Sequence, residues 1–236
     1  MKKTLISVLT IFTLAATASD NEIYVEQSGA TLNLNLEQLG SGNIIGGLLS
    51  SSGSLTPFDL DGLSMTLEIN QIGDNNIMLG DIYGDSITGL FNFDGDSNSF
   101  TIQGDPTGTY GIDNSNYNVA VTGSSNTFTL DHGTTALAGT LDLDWIVQGD
   151  SNTFDFNINY DGGTSYVDVD GDSNTINFTG QGADQGYFYL DQTGSSRTFN
   201  INQLSTLNND WLKILSTGTS GTVCITQSDG GTTTSC

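Results

Sequence analysis

Two stretches of the chain carry oxygen ligands at the start of a calcium-loop spacing. Asp94-Gly95-Asp96-Ser97-Asn98 and Asp170-Gly171-Asp172-Ser173-Asn174 each read D-x-D-x-N. A calcium loop also needs a glycine at its sixth position and a bidentate glutamate at its twelfth. Ser99 and Thr175 hold the sixth place, and Asp105 and Gln181 the twelfth. The candidate ligands are Asp94, Asp96, Asn98, Asp170, Asp172 and Asn174, and no metal site is expected from them, because a repeat described below accounts for their spacing. His132 is the single histidine, so any Ser-His-Asp or Cys-His chemistry would have to use it. No nucleophile elbow, phosphate-binding loop, dinucleotide fingerprint or metal-ligand cysteine spacing accompanies it. The expectation is a protein without a catalytic centre and without a cofactor.

Charge narrows the partners. The 236 residues hold 27 Asp plus Glu against 4 Lys plus Arg, a formal net charge of −23. Such a chain repels phosphate backbones and anionic lipid, so nucleic acid and membrane insertion are excluded as main targets. Divalent cations or basic partners are the natural counter-charges. Residues 1–18 read as a secretory signal: Lys2 and Lys3, the short apolar run Thr4–Leu14, and the small-residue box Ala16-Thr17-Ala18, with cleavage expected after Ala18. The apolar run is shorter than the ~20 residues that span a bilayer. The mature part, 19–236, is then expected outside the cell, where Cys224 and Cys236 can oxidise. Their bond would staple the end of the fold or link two subunits.

The elements that must position these residues follow from an internal repeat. G-x-x-N recurs at Gly40–Asn43, Gly73–Asn76, Gly95–Asn98, Gly123–Asn126, Gly149–Asn152 and Gly171–Asn174, with degenerate copies starting at Gly194 and Gly218. From Gly95 onward the glycines step by 28, 26, 22, 23 and 24 residues. Matching phrases at Gly89 and Gly111 lack the flanks and are set aside. Apolar residues alternate with Thr, Asn, Asp and Ser on both sides of each turn. Before it stand pairs such as Phe91/Phe93, Val119/Val121, Trp145/Val147 and Val167/Val169. After it the first apolar residue is Phe100, Phe128, Phe154, Ile176, Phe199 or Val223. Alternation marks strands with one buried face. The parity shifts by one across the turn, which keeps both strands facing one interior. Glycine supplies positive φ there, and asparagine is expected to tolerate it too.

A unit of roughly 22 residues cannot bury its own apolar face, whereas stacked units bury it between parallel ladders. The expected fold is therefore an all-β, parallel-stacked β-solenoid of strand-turn-strand repeats. Its core column would be Phe100, Phe128, Phe154, Ile176, Phe199 and Val223. Ile44–Leu63, Gly80–Gly89 and Gly104–Asn116 break the rhythm and are expected to be loops outside the stack, either loose insertions or a binding face. His132 falls nine residues after Gly123, in the slot that Gln203 and Gln227 hold after Gly194 and Gly218, so it reads as a ladder variant.

These residues resemble the curlin repeat, Gln-x-Gly-x-x-Asn-x-Ala-x-x-x-Gln. Gln192-Thr193-Gly194 runs on to Gln203 at that spacing, and Gln27-x-Gly29 with Gln38 repeats it. Gln38-x-Gly40-x-x-Asn43 and Gln71-x-Gly73-x-x-Asn76 match the first half. The family alanine is replaced by Phe or Ile in most units, so the interior must be wider or packed differently, and Phe93, Val121, Val147 and Val169 replace the first glutamine. The resemblance implies a secreted functional-amyloid subunit with Gln and Asn ladders (Gln27, Gln38, Gln71, Gln192, Gln203, Gln227). Its implied role is in extracellular fibres, biofilm matrix or cell adhesion, through self-association or a related fibre subunit. The other reading is a monomeric surface or virion adhesin that binds through its inserted loops. If coils stack, Asp74, Asp96, Asp150 and Asp172 share one corner, where like charges oppose stacking and make assembly sensitive to pH or divalent cations.

Overall fold

The computed structural model describes residues 15–17, 22–40, 42–46, 57–73, 76–104, 112–133, 139–160, 162–182, 186–205 and 210–228. Every strand pair among them is parallel, and the chain winds as a β-solenoid. One ladder holds the strands that lead into the G-x-x-N corners: Glu26–Leu39, Phe58–Ile72, Ile87–Asp94, Ser115–Thr122, Leu141–Gln148, Gly163–Asp170, Tyr187–Thr193 and Trp211–Thr217. The other holds those that leave them, including Ile77–Asp85, Ser99–Gly104, Thr127–His132, Thr153–Tyr160, Thr175–Gly182, Arg197–Ser205 and Gly221–Gln227. Ala15–Thr17, within the segment read as a signal, pairs with Glu37–Leu39.

Register is carried around the corner without a break. Gly95, Gly123 and Gly149 each donate to the residue before the next corner glycine, at 2.9 Å. Ser97, Ser125 and Ser151 donate to the carbonyls of Ser124, Asp150 and Asp172 at 2.8–2.9 Å. Stacking this tight excludes a side chain at the glycine. A Cβ on Gly123, Gly149 or Gly171 would run into the carbonyl oxygen of the corner glycine one coil earlier, and φ there is +135°, +147° and +151°. The second residue with positive φ is the serine, not the asparagine. Ser97, Ser125, Ser151, Ser173 and Ser196 lie at φ 59–63°. The asparagines turn inward instead, as described below.

The interior is apolar. Phe100, Phe128, Phe154, Ile176 and Phe199 are fully buried in one column, in register from coil to coil. The Phe100, Phe128 and Phe154 rings stack at 5.1 Å with interplanar angles of 15° and 11°. Phe93, which stands where the first glutamine would be, stacks on Phe100 at 3.7 Å. Large side chains are matched by glycines on neighbouring coils, as close packing demands. Gly80 lies under the Phe58 ring, and Gly89 beside Phe91 and Tyr117. Gly89 is thus a core position, not a corner; Gly111 lies outside the described residues. Val223 continues the Phe column in register but is 52% exposed, so it is not core among the described coils.

The expected loops are smaller than the rhythm suggested. Gly80–Gly89 is strand over Ile77–Asp85 and again from Ile87, with a corner at Ser86 (φ 55°). Inward glycines, where alternation expects apolar bulk, had disguised it. Ile44–Leu63 is strand at Ile44–Ile45 and from Phe58 onward. Those two pieces belong to a single rung: Ile44–Ile45 pair with Ile77–Met78 and Phe58–Asp61 with Gly80–Tyr83. Gly104–Asn116 contains the strand Ile112–Asp113 and the start of the one at Ser115.

Gly149→Ala should lower stability by about 3 kcal/mol, because both φ and the neighbouring carbonyl oppose it. Ser151→Gly should change it by less than about 1 kcal/mol, as relief of the left-handed backbone offsets the entropy glycine adds to the unfolded chain. Urea unfolding followed by circular dichroism measures both.

Candidate functional site

The corner side chains form continuous ladders. Asn43, Asn76, Asn98, Asn126, Asn152 and Asn174 are buried. The backbone N–H of Asn76, Asn98, Asn126 and Asn152 donates to the Oδ1 of the asparagine on the following coil, at 2.6, 2.8, 2.9 and 2.7 Å. Nδ2 of Asn43, Asn76 and Asn152 donates back to the glycine carbonyl three residues earlier at 2.5, 2.8 and 3.0 Å. Asn152 thus both closes its own turn and accepts a buried N–H from its neighbour, Asn43 and Asn76 close their turns, and Asn98, Asn126 and Asn174 satisfy a buried N–H, which would otherwise cost about 1–3 kcal/mol.

Arg197 takes the asparagine's place in the seventh corner. It is buried, and Nη1 donates to the Gly194 carbonyl, the position that the asparagine amides serve elsewhere, and to the Thr217 carbonyl at 3.0 Å. Its stem fills the space of the next coil's side chain. A Cβ on Gly221, its partner in register, would lie 2.8 Å from the Arg197 carbonyl oxygen and 3.0 Å from its Cγ. The two degenerate corners thus compensate one another.

The glutamines separate into two columns. Gln38, Gln71 and Gln192 share one, interrupted by Phe93, Val121, Val147 and Val169. Gln27, His132, Gln203 and Gln227 share the other, with Leu60, Ile82, Gly104, Ile158 and Gly180 between them. Gln27 and Gln38 therefore match the family spacing out of phase: Gly29 sits at the opposite corner, paired with Gly62. Gln71 donates to Gln38 Oε1 at 2.8 Å and Gln227 to Gln203 Oε1 at 3.3 Å. Gln27 is half-buried and Gln227 exposed, while the other four are buried.

His132 lies fully inside, edge-on to Tyr117 at 6.0 Å. Burial pushes its imidazole down to about 3, so it is a neutral packing group at physiological pH. The calcium-like stretches do not converge. Asn98 and Asn174 point inward with Oδ1 committed to the ladder, whereas Asp94 and Asp170 are exposed on the outer face. Among the described residues no group of three or more His, Cys, Asp or Glu is arranged to hold a metal ion. The corner aspartates have a different partner from the one expected. Asp96 accepts from Ser124 N–H at 2.6 Å, Asp150 from Asp172 N–H at 2.7 Å and Asp172 from Ser195 N–H at 2.7 Å. Asp74 lies outside the described residues. Cys224 is disulfide-bonded, and Cys236 lies outside them.

A true carboxylate column occurs elsewhere, where sequence reasoning placed nothing. Glu26, Asp59 and Asp81 lie side by side on adjacent strands. Desolvation, then the charge of Asp59, pushes Asp81 up to about 6, and its Oδ1 is buried without a hydrogen-bond partner. Only the register could have revealed this, because Asp59 and Asp81 are brought together by the break at residues 46–57.

On the opposite outer face Tyr166 stacks on Tyr189 at 4.8 Å, and Tyr187 lies 6.1 Å from Trp211. At the end of the stack the last described coil is open: Trp211, Leu215, Val223 and Ile225 are 43–52% exposed. Comparison of the chain with family models, with curated proteins and with solved structures finds no match.

Two outcomes test these ladders. Because the Asp81 carboxyl is raised in the fold, its contribution is fully present below pH 3.8 and is lost as pH rises through about 6. Asp81→Asn should therefore stabilise the protein at pH 7, by about 1 kcal/mol after solvent screening, and leave it unchanged at pH 3.5; Tm measured at both values decides. Gly221→Ala should be markedly destabilising in the parent chain but milder beside Arg197→Ala, which removes the Cγ that the new side chain would meet, a coupling of about 1 kcal/mol in a double-mutant cycle.

Proposed function

We propose that the chain is an exported structural protein of the cell exterior, a curlin-like solenoid that builds or decorates extracellular fibres in a matrix or adhesion role. The carrying observation is the open coil at Trp211–Gln227. Its inward columns end on half-exposed Val223 and Ile225. Trp211–Thr217 pairs only with Tyr187–Thr193, and Gly221–Gln227 only with Arg197–Ser205, among the described residues. A strand with one free edge is a template for another chain. Asn and Gln ladders, of the kind inside the corners, favour repeated addition.

Charge gives the addition a direction. Residues 211–227 hold Lys213 and no carboxylate, in a chain of net charge −23. The strand Glu26–Leu39 at the other end carries Glu26 and Glu37. Head-to-tail contact would place the least acidic coil on an acidic one, where addition in either other sense would not. Export rests on the reading of residues 1–18 as a secretory signal.

A second reading, a monomeric adhesin, draws on the insertions. Gly104 to Ile112, Gly133 to Gly139, Gly182 to Gly186 and Ser205 to Asp210 all bridge from the second ladder to the next strand of the first. The described strands that flank these insertions thus lie along one edge, where a solenoid can carry a binding face.

Fibre growth monitored by thioflavin fluorescence and electron microscopy separates the readings. The parent chain should form cross-β fibres with a concentration-dependent lag, and Val223→Asp with Ile225→Asp should abolish them while far-UV circular dichroism is unchanged. A chain that stays monomeric at every concentration belongs to the adhesin reading.

A further inference from the structure

We infer that the outer face of the strands Leu141–Gln148, Gly163–Asp170, Tyr187–Thr193 and Trp211–Thr217 is a docking surface for a basic, arginine- or lysine-rich polypeptide. The register lays its outward residues on a grid. Asp144, Tyr166, Tyr189 and Lys213 form one row along the solenoid axis, Thr164, Tyr187 and Trp211 lie beside it on one flank, and Asp168 and Asp191 on the other. Aromatic rings and carboxylates are therefore immediate neighbours across the sheet. Tyr187 and Trp211 are 39% and 45% exposed, a large aromatic area to leave in water.

The chain's own cation shows what this surface accepts. Lys213 Nζ lies 4.7 Å from the centroid of the Tyr189 ring, and the Tyr189 hydroxyl points at Asp191 Oδ2, 3.4 Å away. An ammonium held over a ring whose rim is carboxylate is the arrangement that recognises lysine and arginine side chains. Asp144 keeps one buried carboxylate oxygen without a hydrogen-bond partner. Asp168 is raised by desolvation and then by Asp191, Asp170 and Asp144. An incoming guanidinium would find stacking surface on the Tyr166 ring and carboxylate acceptors at Asp168 and Asp191 beside it, the combination that guanidinium geometry satisfies best, while Trp211 and Tyr187 on the far flank take a neighbouring side chain of the same polypeptide. Tyr and Trp are also the residues in which binding energy concentrates at protein interfaces. The net charge of −23 favours a basic partner over any distance, while the aromatic rows fix where it docks. The inference stands apart from fibre formation, because the face runs along the side of the stack and not across its end.

The test is titration of the purified full chain, below its fibre-forming concentration, with nona-arginine, nona-lysine and nona-glutamate peptides, followed by tryptophan fluorescence and calorimetry. The two basic peptides should bind and nona-glutamate should not. Trp211→Thr with Tyr166→Thr, which leaves net charge unchanged and places a strand-former at outward positions, should weaken nona-arginine about tenfold. Asp168→Asn with Asp191→Asn should weaken it similarly, and Asp131→Asn with Asp155→Asn, the same charge change on the other ladder, less than twofold. Equal weakening by the two aspartate pairs would reduce the attraction to bulk charge and overturn the inference. So would loss of affinity for a neutral polysaccharide, instead of the basic peptide, in the aromatic variants. Unchanged far-UV circular dichroism confirms that each variant is folded.

Discussion

Continuity of hydrogen bonding through the G-x-x-N corner is the constraint on which the molecule depends. In most sheets the ladder stops where the chain turns, and the turn is free to vary. Here the turn residues bond to the turn above and below, so adjacent corners approach until there is no room for a Cβ at the glycine. That closeness brings each asparagine within reach of its successor. It also fixes the relative height of the two flanking strands, which is what superposes Phe100, Phe128 and Phe154. Apolar burial supplies the driving force, while the corner decides that only one registration is available to it.

Much of this was legible in sequence. A recurring glycine and a parity shift across the turn were enough to give parallel stacking and to name the aromatic column, since both are local properties of the chain. The same column shows the limit. Val223 has the right spacing and register, yet it is half-exposed, because burial depends on whether another coil follows and spacing alone does not report that. Gly80 and Gly89 were misread for a related reason. An inward glycine breaks an apolar alternation, but it is favourable wherever Phe58 or Tyr117 on a neighbouring coil fills the gap.

The site-level readings were lost where two distant segments share a rung. Gln27-x-Gly29 with Gln38 satisfies the repeat spacing, but Gly29 belongs to the opposite corner, and only the pairing with Gly62 shows it. The column of Glu26, Asp59 and Asp81 is hidden in the same way. Arg197 looked like decay of the motif; its role depends on Gly221, twenty-four residues on, having no side chain. Corner aspartates that seemed only to repel one another accept N–H groups from the adjoining coil, a compensation that residue types alone do not express.

The rung divided between Ile45 and Phe58 has a wider meaning for how such a scaffold can change. Ile44–Ile45 and Phe58–Asp61 are held by pairing to consecutive parts of Ile77–Tyr83, so the distance between them is fixed by the coil and not by the number of residues that separate them in sequence. Closure entropy rises only with the logarithm of loop length, about 0.6 kcal/mol for each doubling. Segments of very different size and sequence could therefore be carried at this point with little effect on the coils around it, which makes the break a natural port for evolutionary variation or for grafting a foreign peptide.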